Sequence, residues 1–441
     1  MKNRININFW TLFLFVGLSV PVLLFNSCAD DNDDGSTTPV KIEKVFLENA
    51  QSTMPDRDLS LFGNFARLGQ MIRLQGSGFV GVKQVLINGE SCYFNPVFVT
   101  DQSMIVQISA DVPTVEAPDD VRNTIKLVKS ESNTFVFSFE IRAAAPSITD
   151  ISHTLPQAGD EITITGKGLQ GVTSVIFPGN IAAAIFTSDD EEGVWVKVTV
   201  PSGITQSGSV LVISANGGAY SPAYFNYREG LVHDFDNVQN YSWGSGVDNT
   251  ALTAQIPASG NLPKSQGGYQ VFNPTGSLAA NSDQRFWLNS TAIFGSITNF
   301  IPGATAAADC GIQMDIYVEG VWNSGIIRMV MADGSGASRY CMLYRPVYVN
   351  NTYSIESFVN PGAWFTITLP FSLSADYEGK TLDDVIASMS AASYKQAGPW
   401  FENSGITDVF DPVPATEKVY FDNIRFVPLT TPTYSDFPDE E

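Results

Sequence analysis

The 441-residue sequence is poor in basic residues and in histidine. It holds 24 Lys and Arg against 46 Asp and Glu, a formal net charge of −22, and its two histidines are His153 and His233. Nucleic-acid binding relies on clustered Lys and Arg that neutralise phosphates, and the sequence has no such cluster. The same acidic field repels sulfated and uronic-acid-rich glycans. The charge therefore disfavours nucleic acid and polyanions as ligands.

Signatures of catalysis are lacking as well. Neither histidine is accompanied by the Ser or Cys motif of a catalytic triad, and no spacing predicts a metal site or a cofactor. A glycoside hydrolase stays open as an alternative, because its two carboxylates are paired in space and not in sequence. Such an enzyme would draw on Asp315, Glu319, Glu356 or Glu402. We expect that the chain is not an enzyme.

Only one run is long and apolar. It extends from Phe9 to Phe25 and ends shortly before Cys28, which is followed by the acidic stretch 30–34. The pattern resembles a lipoprotein signal peptide, residues 1–27, with Cys28 acylated and an acidic linker over residues 28–38. A plain secretory signal before the same linker is the alternative. The lipoprotein interpretation implies an outer-membrane, cell-surface location with a lipid anchor.

Cysteine is too scarce for a disulfide framework. Acylation of Cys28 leaves Cys92, Cys310 and Cys341, an odd number that cannot all pair. Cys310 and Cys341 lie in neighbouring predicted strands, but their apolar surroundings favour buried free thiols.

Long amphipathic helical patterns are nearly absent, and short alternating runs between Gly and Pro turns predict an all-β fold. One short helix is expected after Thr381, which can cap it. Leu382, Val385, Ile386 and Met389 recur there at helical spacing.

Residues 69–89 and 159–179 form an internal repeat at a constant offset of 90. Ile72, Val82 and Val85 recur in the second copy, and so do all five glycines of the first copy: Gly69, Gly76, Gly78, Gly81 and Gly89 match Gly159, Gly166, Gly168, Gly171 and Gly179. Each copy lies among about seven short predicted strands, as in an immunoglobulin-like sandwich. The pattern Pro-x-Ile, Gly-x-x-Ile-x-Ile-x-Gly-x-Gly-Leu and Val-x-x-Val-x-Phe resembles the IPT/TIG family. The resemblance implies two such domains, residues 39–144 and 145–228, which we expect to act as spacers.

Residues 229–441 differ in composition and hold five of the seven tryptophans. Their length and short strands suit a jelly-roll β-sandwich like a carbohydrate-binding module. Strands near Val232 and Phe421 are expected to pair as a terminal clasp. This region is similar to the C-terminal domain of the surface glycan-binding proteins of Sus-like uptake systems, most closely the xyloglucan-binding type. The similarity rests on three stretches: Asp315-Ile316-Tyr317-Val318, the run from Trp364 to Pro370, and Phe421-Asp422-Asn423-Ile424. The resemblance implies capture of a glycan for an outer-membrane importer complex.

A neutral sugar presents an apolar C–H face, so exposed aromatic rings are its expected platforms. Period-two alternation separates Trp364 from the apolar face of its strand, while Trp322 and Trp400 are expected in or beside loops. The predicted glycan-binding residues are Trp322, Tyr340, Tyr344, Tyr348, Trp364 and Trp400. The expected function is non-catalytic binding of a neutral polysaccharide of β-glucan or xyloglucan type. A glycoside hydrolase and a surface adhesin that binds protein are the alternatives.

Overall fold

A computed structural model of the chain describes residues 38–48, 57–60, 65–238, 240–245, 267–289, 297–333, 341–349, 352–353, 358–391, 395–403 and 412–436. Nearly all regular structure in these ranges is β, which confirms the all-β prediction. No helix among them is long and apolar enough to span a membrane. The expected signal peptide and Cys28 lie outside the described residues.

The first sandwich contains two four-stranded antiparallel sheets, ordered β2-β1-β4-β7 and β6-β5-β8-β9, and a parallel pair of β3 with β10. Alternate residues such as Ile72 and Leu74 of β4 are buried between the sheets. Its strands are β1 Lys41–Leu47, β2 Arg57–Asp58, β3 Phe65–Arg67, β4 Met71–Ser77, β5 Gln84–Ile87, β6 Glu90–Cys92, β7 Ser103–Gln107, β8 Thr124–Ser130, β9 Asn133–Ser138 and β10 Glu140–Arg142.

The second sandwich repeats this plan with sheets ordered β11-β12-β16-β15 and β14-β13-β17-β18. Its strands are β11 Ser147–Ile151, β12 Glu161–Lys167, β13 Ser174–Phe177, β14 Ile181–Ala182, β15 Phe186–Ser188, β16 Trp195–Thr199, β17 Leu211–Ser214 and β18 Gly217–Tyr220.

The repeated glycines occupy equivalent places in the two sandwiches. A Cβ atom on Gly76 would overlap the carbonyl oxygen of Lys41, and one on Gly166 would overlap that of Ser147. Gly78 and Gly168 both have positive φ, 75° and 69°, which disfavours residues with a side chain. The glycine pattern therefore reflects a bulge and turn that both sandwiches need.

The C-terminal sandwich packs two five-stranded sheets face to face. The first sheet is ordered β19-β30-β23-β28, with β21 also paired to β30, and the second is ordered β20-β22-β29-β24-β25. The strands are β19 Leu231–His233, β20 Tyr241–Ser245, β21 Gln270–Phe272, β22 Ser282–Asn289, β23 Cys310–Glu319, β24 Ile326–Asp333, β25 Cys341–Tyr344, β26 Tyr348–Val349, β27 Thr352–Tyr353, β28 Phe365–Pro370, β29 Lys395–Asn403 and β30 Lys418–Pro428. The predicted terminal clasp is confirmed, since β19 pairs antiparallel with β30.

One α-helix, α1 Leu382–Ala391, lies in the described part of this sandwich. Thr381 Oγ1 accepts a hydrogen bond from the Asp384 backbone N–H (3.3 Å), and Asp384 accepts in return from the Thr381 N–H (2.9 Å). This reciprocal cap fixes the start of the helix where the sequence predicted it. Short 3₁₀ helices lie at Pro96–Phe98, Ile297–Asn299, Ala307–Asp309, Phe371–Leu373 and Ala375–Tyr377. Cys92, Cys310 and Cys341 are buried and form no disulfide in the described part of the chain, as expected for Cys310 and Cys341.

Polar contacts hold the second sandwich against the outer face of the first sheet. Arg425 Nη2 donates to Thr154 Oγ1 (2.7 Å), and the Thr154 backbone N–H donates to Thr366 Oγ1 (2.9 Å). These side chains are buried, so the two sandwiches share a closed interface.

The chain beyond β30 returns toward the N-terminal half. Tyr434 packs against Tyr220 of the second sandwich, with ring centroids 6.2 Å apart. Asp436 then pairs with Arg67 (2.7 Å) and Arg142 (3.2 Å) of the first sandwich. Residues 429–436, here called the C-terminal strap, therefore contact all three sandwiches, since the Leu429 N–H donates to Asp309 O (2.7 Å).

Candidate functional site

Aromatic rings form two clusters on the outside of the C-terminal sandwich, apart from its core. The first is the aromatic quartet, Tyr269, Tyr317, Trp364 and Tyr420, on the outer face of the first sheet. The second is the tryptophan pair, Trp287 and Trp400, on the outer face of the second sheet. Their strands alternate core and outer residues, so these rings point away from the core.

The four rings of the quartet close into one patch. Ring centroids are 5.6 Å apart for Tyr269 and Trp364, 6.0 Å for Trp364 and Tyr317, 6.1 Å for Tyr317 and Tyr420, and 5.7 Å for Tyr420 and Tyr269. Tyr317 is half-buried and is the most accessible ring of the four, whereas Tyr269, Trp364 and Tyr420 are buried, with 5%, 8% and 8% of their surface exposed. This apolar patch lies beside the interface with the second sandwich, since Trp364 is two residues from Thr366, which bonds Thr154.

Polar groups border the quartet. The Tyr420 hydroxyl donates to Glu319 (3.0 Å), which also pairs with Lys418 (2.8 Å). The hydrogen bond from Lys418 lowers the pKa of Glu319, against the opposing effect of burial. Burial raises the pKa of Tyr269 to about 12, and its hydroxyl has no hydrogen-bond partner among the described residues. The patch thus combines ring faces with donors and acceptors suited to sugar hydroxyls.

The tryptophan pair is more enclosed. Trp287 and Trp400 meet edge to face with centroids 5.1 Å apart, and they are 1% and 3% exposed. The Arg285 guanidinium lies 4.0 Å from the Trp400 ring centroid and is held by Asp283 (2.7 Å). The faces of these rings are already covered, so we regard the pair as packing.

Among the predicted site residues, Trp322 requires a correction. Its ring is fully buried in the core, edge-on to Tyr344 and Phe401 at 5.8 Å each. Its Nε1 donates to the Gly325 carbonyl (3.0 Å). The loop folds back so that the Trp322 ring packs at the end of the core while its N–H keeps a hydrogen bond. Trp322 therefore cannot stack on a sugar.

The three other predicted residues whose side chains the structure describes, Trp364, Trp400 and Tyr344, do not form one surface. Trp364 belongs to the quartet, Trp400 lies on the opposite sheet with its ring closed to solvent, and Tyr344 is partly buried beside Trp322. Tyr348 lies in β26, but the structure does not describe its side chain. Tyr340 and Cys28 lie outside the described residues altogether. Glycan contact by Trp364, Tyr344, Tyr340 and Tyr348 stays a prediction.

Three members of the quartet were missed from the sequence. Tyr317 and Tyr420 alternate with the core residues Ile316, Val318, Val419 and Phe421, so the period of two in β23 and β30 would have placed both rings outward. Tyr269 precedes the short strand β21, where no periodic signal exists.

The candidate catalytic carboxylates are engaged in ion pairs. Asp315 is buried against Arg425 (2.9 Å), Glu319 pairs with Lys418 (2.8 Å) and Glu402 pairs with Arg328 (2.6 Å). Glu356 lies outside the described residues.

Comparison with known proteins places the C-terminal region. Residues 225–428 match the family model described as surface glycan-binding protein B xyloglucan binding domain. The chain is 23% identical over 308 residues to an IPT/TIG domain-containing protein of Bacteroides ovatus. The aligned region covers 68% of this chain and 56% of that relative. The chain thus spans little more than half the length of that relative.

One solved structure shares the fold. The crystal structure of surface glycan-binding protein PbSGBP-B from Prevotella bryantii matches with a TM-score of 0.63 and 18% identity, over 90% of this chain and 100% of that one. SGBP-B from a complex xyloglucan utilization locus in Bacteroides uniformis matches with a TM-score of 0.46 and 18% identity, over 82% and 96% of the two chains. Residues 225–428, the C-terminal part of the chain, therefore match the surface glycan-binding protein B xyloglucan binding domain model, as the resemblance to Sus-like surface glycan-binding proteins predicted.

Proposed function

We propose that the chain binds a neutral polysaccharide of the xyloglucan or β-glucan type at the cell surface and does not cleave it. The observation that carries this proposal is the aromatic quartet on the outer face of the first sheet, within the matched domain. Aromatic rings on the outside of a sheet can take the apolar face of a sugar, while Glu319, Lys418 and the tyrosine hydroxyls can bond its rim.

The state of the carboxylates supports binding without hydrolysis. A glycosidase needs two carboxyl groups on either side of the scissile bond, one of which must be protonated. Asp315 is buried, and although burial opposes ionisation, Arg425 and His153 hold its pKa well below the ordinary value. Neither Asp315 nor the ion-paired Glu319 is suited to be a general acid.

Anchoring at the surface completes the proposal. Acylation of Cys28 would tether the chain to the outer membrane, and the two immunoglobulin-like sandwiches would hold the binding domain away from it. Many tethered copies on one polymer would raise the effective affinity, so a modest affinity per site suffices. Handing the glycan to an outer-membrane importer complex is the role that this arrangement serves. Replacing Cys28 with alanine should release the chain from the membrane fraction and abolish lipid labelling; retention of both would refute the anchor.

Affinity electrophoresis of the full chain against neutral plant polysaccharides, with a reducing-end assay on the same mixtures, tests the proposal. We expect xyloglucan to retard the chain, with no new reducing ends, and a uronic-acid-rich glycan to leave its migration unchanged. Release of reducing ends would instead establish a hydrolase. Indifference to every neutral glycan would overturn glycan binding and favour the adhesin alternative.

A further inference from the structure

A cavity of about 480 Å³ lies between the second sandwich and the C-terminal sandwich. Thr149, Asp150 and Tyr224 line it from the second sandwich, and Tyr344 and the strand β28 line it from the other side. We call it the junction cavity. It is separate from the quartet, although Trp364 immediately precedes β28.

Asp150 and Tyr344 line this cavity from opposite sides, one from each sandwich. Asp150 is exposed toward it, yet the surrounding protein raises the pKa of its carboxyl to about 6, against a hydrogen bond from the Ile151 backbone. Burial raises the pKa of Tyr344, and the charge of Asp150 raises it further. One side chain from each sandwich thus offers an acceptor or a donor to the same space.

Further polar groups line the walls. Thr368 Oγ1 accepts from Gln313 Nε2 (3.0 Å), so its hydroxyl proton is available to another acceptor. Tyr224 is 2% exposed, and its hydroxyl lies near the Ile151 backbone without a well-aligned hydrogen bond to the described residues. A buried donor with a poorly aligned acceptor is destabilising, and a polar occupant of the cavity can relieve this cost.

The strand β28 adds backbone groups and ring surface. It is the edge strand of the first sheet in the described structure, paired with β23. Alternate backbone N–H and C=O groups of an edge strand point away from its sheet, although the Thr366 N–H already donates to Ser152 O of the second sandwich (2.8 Å). Phe365 and Tyr344 supply apolar surface beside them.

We propose that the junction cavity is a second sugar-binding subsite, which takes a neutral glycosyl unit of the polysaccharide held on the quartet. This inference rests on the proposed function. The Asp150 carboxylate accepts hydrogen bonds from sugar hydroxyls, Tyr344 and Thr368 bond the remaining rim, and Phe365 lies against the C–H face. Because β28 begins next to Trp364 and extends about 20 Å over its six residues, a chain bound on the quartet can reach the cavity along this strand.

Isothermal titration of the full chain with xyloglucan oligosaccharides tests the subsite. Asp150→Asn should weaken binding roughly tenfold, and Tyr344→Phe, which removes only a hydroxyl, roughly threefold to tenfold. The matched control is Glu161→Gln, an exposed carboxyl on the same sandwich that does not line the cavity, and it should bind as the wild type does.

A second control separates ligand contact from loosening of the junction. Thr154→Val removes a hydrogen bond of the interface without touching the cavity, and it should lower the melting temperature more than the affinity. If Asp150→Asn and Tyr344→Phe bind normally while loss of the quartet abolishes binding, the subsite is refuted and the proposed function stands. If the wild-type chain binds no neutral glycan, the subsite and the proposed function are both refuted.

Discussion

Arg425 and Asp315 form an ion pair of 2.9 Å in which the two side chains are 0% and 1% exposed. Both side chains point outward from the first sheet, and the second sandwich covers them through Thr154. The pair therefore lies at the base of the interface that fixes the glycan-binding domain against the second sandwich.

Removing one partner of this pair should be strongly destabilising. Arg425→Met leaves the Asp315 carboxylate buried without its cation, and we expect a loss of about 3–5 kcal/mol in the free energy of unfolding. The double variant Arg425→Met with Asp315→Leu should recover most of that loss. Chemical denaturation followed by tryptophan fluorescence measures both, and equal stability of the single and double variants would contradict the account.

His233 predicts a loss of stability in mild acid. Its side chain is fully buried, and burial lowers its pKa from 6.5 to about 4, with the charge of Asp234 opposing. The unfolded chain takes up a proton near pH 6.5 while the folded chain does not until about pH 4, so stability falls as pH drops through this window. The loss in the free energy of unfolding from this group is at most about 3 kcal/mol.

Chemical denaturation between pH 7 and pH 4 should therefore show that the free energy of unfolding depends less steeply on pH for His233→Gln than for the wild type. Asp150 acts oppositely in part of this window because its pKa is raised, and Asp150→Asn in both backgrounds separates the two effects. Parallel pH profiles for the wild type and His233→Gln would rule out the contribution of His233.

The C-terminal strap should restrict the orientation of the sandwiches. Asp436→Asn removes a charge that pairs with both Arg67 and Arg142, each partly buried. We expect a larger radius of gyration in small-angle scattering and faster proteolysis between the sandwiches, with about 1 kcal/mol or less lost in stability. Asp119→Asn is the matched control, since Asp119 is 92% exposed in its pair with Arg122. Scattering identical to the wild type would mean that the strap does not set this geometry.

The cap of α1 offers a local test. Thr381→Ala should destabilise the C-terminal sandwich by about 1 kcal/mol, and Thr381→Ser, which keeps the hydroxyl, should restore most of it. Thermal melting of the two variants gives the comparison; a Thr381→Ala variant as stable as the wild type would show that the cap contributes nothing.

Sequence periodicity predicted the features that are set by residues close together in the sequence. It placed Trp364 on the face of β28 away from the core, and it anticipated the capped helix. It failed for Trp322, because the fold of its loop decides whether the ring returns to the core.

Apart from the terminal pair of β19 with β30, the long-range contacts were beyond the sequence. Arg425 follows the outward register of β30, yet it is buried because another sandwich covers it. Asp436 meets Arg67 across 369 positions of the chain, and the junction cavity exists only where two sandwiches meet. No local pattern carries such information.

The central claim is that the aromatic quartet holds the polysaccharide. Titration of the full chain with xyloglucan should show at least tenfold weaker binding for Tyr317→Ala and loss of measurable binding for Tyr317→Ala combined with Trp364→Ala, with folding verified by circular dichroism. Tyr93→Ala, which removes a ring 71% exposed on the first sandwich, should bind as the wild type does. A folded double variant that keeps wild-type affinity would contradict the claim.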